Sequence, residues 1–374
     1  MVLLTMLLLF VNGCSAVKPD YVEVKTDVST FEGRFYYEQL SENEKLVYRE
    51  IYEGVMDEKE QICTHSDKAE KANKTFLSVV YDFPEIFWVD GSATSTTHGV
   101  EGKEDSYTIL EPEYIYTGEQ KEKMKQEIDA VVASVVSNAP TDNGEYGKIK
   151  YVYEYLINEV VYVENAPDGQ NLYSALVNHS TVCAGYAKAN QYILNKLGVE
   201  CTYIFGTAVS EETTDNHAWN IVKCDGKYYY VDLTWADPLP AEEDASFQYE
   251  MVYDYLCCSQ REIGASHTKQ DGYQYPECTS DDLNYYRMNG MFYESVDKKQ
   301  LTNATYYSID QKEGHTIYKF ATRELYEQGI TVLEKEVFPE AAQYLCKQYN
   351  LQKVAYNYVE DDMTCKITVY WSYQ

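Results

Sequence analysis

Between Asn216 and Thr234 the chain alternates apolar and polar side chains on both sides of a single Asp225-Gly226 pair, and few patterns restrict a fold more tightly. Two such runs joined by Asp-Gly close into a two-residue hairpin, because both turn residues adopt positive φ and this pair tolerates it. Residues 216–224 are then one strand and 227–234 its antiparallel partner. With Cys224 opposite Lys227, His217 lies opposite Thr234 and Asp232 opposite Trp219. His217 and Asp232 therefore share a face as diagonal neighbours, with backbones roughly 7–8 Å apart and side chains within hydrogen-bonding reach. A slip of one residue places them on opposite faces.

Upstream, Thr181-Val182-Cys183-Ala184-Gly185-Tyr186-Ala187 leads into a helical pattern through Leu194 and Leu197 that Gly198 closes. Cys183 falls at the helix N-terminus, where unpaired backbone N–H groups and the helix dipole favour a thiolate and can stabilise an oxyanion. Singly, each of these residues has a plainer reading: core filler for Cys183, a hydrogen-bonded sheet histidine for His217, a turn or surface carboxylate for Asp232. Together they make a chemical set. A thiol nucleophile needs a base that ionises it and later protonates the leaving amine, and the base needs an acceptor that fixes its tautomer.

In order and context, Cys183, His217-Ala218-Trp219 and Val231-Asp232-Leu233-Thr234-Trp235-Ala236-Asp237-Pro238 resemble the transglutaminase-like superfamily, over roughly residues 115–282. The likeness extends to exported domain-containing proteins of Gram-positive bacteria. It implies an α/β (α+β) fold with a papain-like core, the nucleophile's helix packed on an antiparallel sheet that carries His and Asp. It also implies Cys183 as nucleophile, His217 as general base then acid, Asp232 as orienter, and Trp219, Trp235 and Asp237 as supports of the site. The family often carries a bulkier polar residue where Ala184 stands. Asn178, His179 and Ser180 lie where a side-chain oxyanion donor could sit or where a loop could cap the helix. His267 could line the cleft, but it is read as structural or solvent-exposed and is left out of the triad.

The implied activity is that of a cysteine acyltransferase, peptidase or amidase acting on amide bonds of proteins or peptides through a thioester, resolved by water or by a primary amine. The contrasting reading is a non-catalytic surface binding or adhesion module on the same scaffold, with tyrosine-rich flanks making the contacts. Thirty-nine tyrosines can stack on sugars or peptides, although half-buried structural rings account for them equally well. No cofactor is expected. No cysteine pair has CxxC spacing and no loop has EF-hand spacing, so neither a metal site nor calcium dependence is expected.

With 374 residues the chain suits two or three domains, and 45% hydrophobic with 25% charged residues is a globular composition. A net charge of -30 would repel a phosphate backbone, which argues against nucleic acid as a partner. Residues 1–13 read as a signal peptide: the apolar run Met1 to Phe10 is too short to span a bilayer, and Gly13-Cys14 resembles a bacterial lipoprotein cleavage box. Cys14 is the expected lipidation site and the only expected link to a membrane, which places the protein on the outer face of the cell membrane; cleavage without lipidation would make it secreted. Of the ten cysteines, eight remain beside Cys14 and Cys183, a number that permits disulfides without specifying any. Residues 20–114 read as an N-terminal accessory domain, 115–282 as the catalytic domain and 283–374 as a small C-terminal α+β domain. In the first, Ser41 and Glu44 form a capping box before a helix, and from Phe76 strands or an extended segment with a polar loop at Ser92 to Thr97 are expected.

Overall fold

The computed structural model describes residues 18–103, 105–209, 213–236 and 251–373. They divide into two compact units, one formed by the described residues up to Asp82 with Trp88–Thr117, the other by Phe83–Phe87 and the chain from Gly118 onward. Cys14 and Asp237 lie outside the described residues.

The first unit contains α1 (Phe35–Glu38), α2 (Glu42–Met56), β1 (Ile62–Thr64), α3 (Ala69–Asp82), β2 (Val89–His98) and β3 (Tyr107–Tyr114). The capping box at the start of α2 is formed, Glu44 Oε2 accepting from the Ser41 N–H at 3.0 Å and from its hydroxyl at 2.6 Å. Contrary to the sequence expectation, Phe76 lies within a helix: Ala72, Phe76, Val79 and Val80 are buried on one stripe of α3. The Ser92 to Thr97 cluster is no loop but the middle of β2, the edge strand of a β1-β3-β2 antiparallel sheet. Its β-branched threonines suit an extended chain.

The second unit begins with α4 (Gly118–Ser137) and α5 (Gly144–Glu159), whose buried stripes include Met124, Ile128, Val132 and Val135, then Ile149, Val152 and Leu156. Next come β4 (Val161–Tyr162), α6 (Leu172–Leu176), β5 (Ser180–Thr181), α7 (Cys183–Lys196), β6 (Cys201–Val209), β7 (Thr214–Cys224), β8 (Lys227–Val231), α8 (Gln260–Ile263) and β9 (His267–Lys269). The antiparallel sheet has the order β8-β7-β6-β9, and α7 packs across β6 and β7. This is the expected α/β core of helix on antiparallel sheet. A buried amide pair sets the helix against the strand: Asn190 donates to Asn220 Oδ1 at 2.9 Å, and Asn220 donates to the Ala187 carbonyl at 3.0 Å. On the far face of the sheet, Ile204, Trp219, Ile221 and Tyr230 pack with Cys258, Ile263 and Cys278.

The chain continues through α9 (Tyr285–Met288), β10 (Phe292–Tyr293), α10 (Lys298–Gln311), β11 (His315–Phe320), α11 (Arg323–Val332), α12 (Phe338–Tyr349), β12 (Tyr356–Asp361) and β13 (Lys366–Trp371). These strands make a second sheet, β10-β11-β13-β12. A π-helical turn, Leu333–Val337, joins α11 to α12 just before Pro339, whose missing N–H cannot serve a regular helical ladder. Among the described residues all nine cysteines are free thiols.

Candidate active site

Cys183 is the first residue of α7, and its N-cap, Val182, offers no side-chain cap; its carbonyl accepts the Gly185 and Tyr186 N–H groups at 3.1 and 3.2 Å, while those of Cys183 and Ala184 precede the helical ladder. The segment before it is tightly tethered. Thr181 Oγ1 donates to the Gly169 carbonyl at 3.0 Å and lies 2.5 Å from Ser174 Oγ, which itself donates to the Asn171 carbonyl at 2.8 Å. Gly185 makes this closeness possible, since a Cβ there would stand 1.9 Å from Thr181 Oγ1, 2.9 Å from the Asn171 carbonyl and 3.0 Å from that of Gly169. Gly185→Ala is therefore expected to cost about 1–3 kcal/mol by overpacking. Urea unfolding beside wild type measures it, and an unchanged midpoint would show that the tether yields freely.

The hairpin forms in the expected register, with Cys224 paired to Lys227 and Asn220 to Val231. Asp225 and Gly226 take φ of +50° and +77°, the left-handed values the turn requires. Asp232 follows the last paired residue of β8, where it is held by its own N–H, which donates to the Tyr255 carbonyl at 3.1 Å. Its Oδ1 accepts from the N–H groups of Thr234 and Trp235 at 2.9 and 3.3 Å. Its Oδ2 lies 2.7 Å from His217 Nε2, with both side chains buried. Cys183 stands near enough to His217 that its sulfur helps to raise the imidazole, so helix and sheet meet at this point.

Burial pulls His217 downward, but the charge and hydrogen bond of Asp232, and then Cys183, outweigh it and hold the imidazole well above its ordinary value. For Asp232 burial pushes up, while His217 and then His267 hold the carboxyl below the usual carboxylate range. Trp219 stacks on His217 at 5.8 Å between ring centroids, and Trp235 lies 6.1 Å from His217 and 4.6 Å from His267.

Residues 129–233, which hold Cys183, His217 and Asp232, match the model of the transglutaminase-like superfamily. This segment is a transglutaminase-like domain. Among solved structures, a TGase shares 17% identity over 55% of this chain and 56% of its own, with a TM-score of 0.27. A candidate cysteine protease from Cytophaga hutchinsonii shares 13% over 52% of this chain and 81% of its own, with a TM-score of 0.28. A candidate protease from Parabacteroides distasonis shares 9% over 38% and 39%, with a TM-score of 0.23. This chain thus spans little more than half the length of the TGase structure. No curated protein matches it.

The fold brings to this segment residues that the sequence leaves outside the triad. His267 is buried, not solvent-exposed: its Nε2 lies 2.9 Å from Asp232 Oδ2 and its Nδ1 2.8 Å from Ser266 Oγ. Tyr162, paired with Thr181 across β4 and β5, is near enough to Cys183 that the sulfur adds to the upward push burial gives its hydroxyl. Its strand reads as ordinary apolar sequence. Asn178 and His179 are exposed, and His179 Nδ1 bonds the Glu159 carbonyl at 3.1 Å; Ser180 pairs with Val161 in the same short parallel ladder. No contact of these three with Cys183 is observed among the described residues.

His217, Asp232 and His267 bring ligand-type atoms within 4.8 Å of one another. Both imidazole nitrogens stand at hydrogen-bond distance from one carboxylate oxygen, 2.7 and 2.9 Å, whereas ligands on a tetrahedral zinc with bonds of about 2.0–2.1 Å sit roughly 3.3 Å apart. The set is built as a hydrogen-bonded array.

Proposed function

We propose that this chain is a cysteine enzyme that acts on amide bonds of proteins or peptides through a thioester on Cys183. One observation carries the reading: Cys183 stands at a helix N-terminus close enough to act on the His217 imidazole, and His217 is bonded in turn to the buried Asp232 at 2.7 Å. In the forward half-reaction His217 takes up the Cys183 proton as Sγ attacks the carboxamide or peptide carbonyl, and the N-terminal N–H groups of α7 are placed to stabilise the oxyanion. His217 gives its proton to the departing amine or ammonia as the C–N bond breaks, leaving the thioester. Water or a primary amine then attacks the thioester, His217 takes the proton, and the C–S bond breaks to return the thiol. Asp232, acceptor for His217 Nε2–H, leaves Nδ1 for the sulfur.

The purified protein incubated with a peptide library and a primary-amine probe, wild type beside Cys183→Ala, separates the acceptors by mass spectrometry. Amine incorporation that depends on Cys183 makes it a transglutaminase, and Cys183-dependent cleavage or deamidation makes it a hydrolase. Identical spectra for both proteins would favour the binding module instead. We also place the protein at the outer face of the cell membrane through lipidated Cys14, a proposal supported by the apolar run that precedes Gly13-Cys14. Cys14→Ser is expected to shift the protein from the membrane fraction to the medium, and unchanged fractionation would count against the anchor.

A further inference from the structure

We propose that His267 is a positioning residue for this site, acting through Asp232 to fix the orientation and moderate the basicity of His217; the inference rests on the reading of His217 as the base. A carboxylate offers about four lone-pair positions. Here four donors occupy them: the Thr234 and Trp235 N–H groups on Oδ1, and the imidazoles of His217 and His267 on Oδ2, at 2.7 and 2.9 Å. An ionised carboxylate accepts only, so both histidines present Nε2–H to it, and His217 keeps Nδ1 for the Cys183 sulfur. With every position filled, Asp232 has one orientation that satisfies all four partners.

The chain goes to some length to bring His267 there. The ring is enclosed, with centroids of Trp235, Trp219 and His217 at 4.6, 5.1 and 5.2 Å, and its side chain is 1% exposed. Strand β9 reaches this place by pairing His267 with Ala208, and the approach needs Gly206, where a Cβ would stand 2.1 Å from the Thr268 carbonyl. A histidine needed merely to fill space would be replaceable by an apolar ring, whereas this one has both nitrogens engaged.

The consequence is electrostatic. Charge on Oδ2 is divided between two N–H donors, so the pull on the His217 proton is weaker than an unshared carboxylate would exert. Among the described residues, the titratable groups facing this array are Cys183 from α7, His217 on β7 and His267 on β9, with Tyr162 on β4 near the Cys183 sulfur. Behind Asp232 stand Tyr153 from α5, with Tyr255 and Cys258 from the segment before α8, all pushed upward by burial first and so neutral.

The test is the NMR titration of His217 in a Cys183→Ala background, which removes the thiol and needs no substrate. His267→Phe is expected to raise the His217 midpoint by about half a pH unit or more, because Oδ2 is then left to one imidazole. His267→Gln, whose amide N–H can restore the second donor, is expected to return it to the parent value. Should the Phe variant fail to fold, His267→Asn beside His267→Gln asks the same question, since Asn reaches Ser266 but not Asp232: Asn should shift the midpoint and Gln should not. Equal midpoints in parent, Asn or Phe, and Gln proteins would overturn the proposal. The proposed function fails separately, by loss of selective Cys183 reactivity in the wild type.

Discussion

Asp232→Asn is expected to lower Cys183-dependent turnover by about 10³- to 10⁴-fold while the protein stays folded. The substitution preserves shape, and the Thr234 and Trp235 N–H groups still find a carbonyl oxygen at the Oδ1 position. At the Oδ2 position, however, an NH₂ group now faces two imidazole Nε2–H groups that were 2.7 and 2.9 Å from an acceptor. Donor meets donor, and His217 resolves the conflict by moving its proton to Nδ1, the nitrogen that must receive the thiol proton. The charge disappears as well. Burial, which already opposes the imidazolium, then becomes the dominant influence and takes His217 from above to below its ordinary value of about 6.5. In linkage terms, the wild-type imidazolium contributes stability that is fully present below about pH 6.5 and is lost as pH rises through the raised folded value; the variant loses that contribution. The check is kcat/KM on a peptide found by the library experiment together with a melting curve. A loss of less than about tenfold would mean that Asp232 does not set the His217 tautomer.

Asp254→Ala is expected to destabilise the second unit by about 3–5 kcal/mol, the usual consequence of removing one member of a buried charge set. Lys319 and Lys366 are direct cross-strand partners on β11 and β13, an arrangement that repels unless a carboxylate lies between them. Asp254 is that carboxylate. Lys319 Nζ bonds its Oδ1 at 2.7 Å, Lys366 bonds its Oδ2, and the Tyr286 hydroxyl donates to Oδ2 at 2.9 Å. The side chains are 1%, 6% and 12% exposed for Asp254, Lys319 and Lys366, so water replaces little of what is lost. Burial pushes Asp254 up, but the two lysines outweigh it and hold the carboxyl below the usual carboxylate range. Its contribution is therefore present above about pH 3.9 and is lost only as pH falls through the depressed folded value. The neighbouring Tyr255 carbonyl accepts the Asp232 N–H at 3.1 Å, so the same variant should loosen the site. Lys366 keeps Asp361 at 3.7 Å, so the uncompensated charge is that of Lys319; urea unfolding measures the change, and a loss under about 1 kcal/mol would contradict a buried lysine left without its carboxylate.

What could be read in the sequence was the local part of the site. A two-residue turn sets register without help from the rest of the fold, so Asp225-Gly226 fixed the pairing as far as Asn220 with Val231; the expected pairs His217 with Thr234 and Trp219 with Asp232 do not form, and Asp232, one residue past the ladder, is placed by its N–H bond to the Tyr255 carbonyl. The nucleophile's helix was equally local, because its apolar period and its closing Gly198 lie within one short stretch. His267 could not be read in this way. Its strand has three residues, too few for a period to show, and its partner β6 is far back in the chain. The only local hint was Gly206 in the middle of an apolar strand, a sign of close backbone approach that does not say what approaches. In the first unit α3 was obscured because Pro84 and the aromatic run after it suggested strand, while the stripe that identifies a helix started earlier, at Ala72. The Ser92 to Thr97 cluster looked like a loop by polarity, yet an edge strand can leave alternate side chains in water.

Activation of Cys183 by His217, beyond mere accessibility, is measured by the rate of iodoacetamide alkylation at each cysteine in mildly acid solution, followed by peptide mass spectrometry. Cys346 and Cys365 are half-buried like Cys183 and serve as internal controls for access. Cys183 is predicted to react at least about tenfold faster than either, and His217→Ala to abolish that preference. Equal rates at the three cysteines, or a preference that survives His217→Ala, would contradict it.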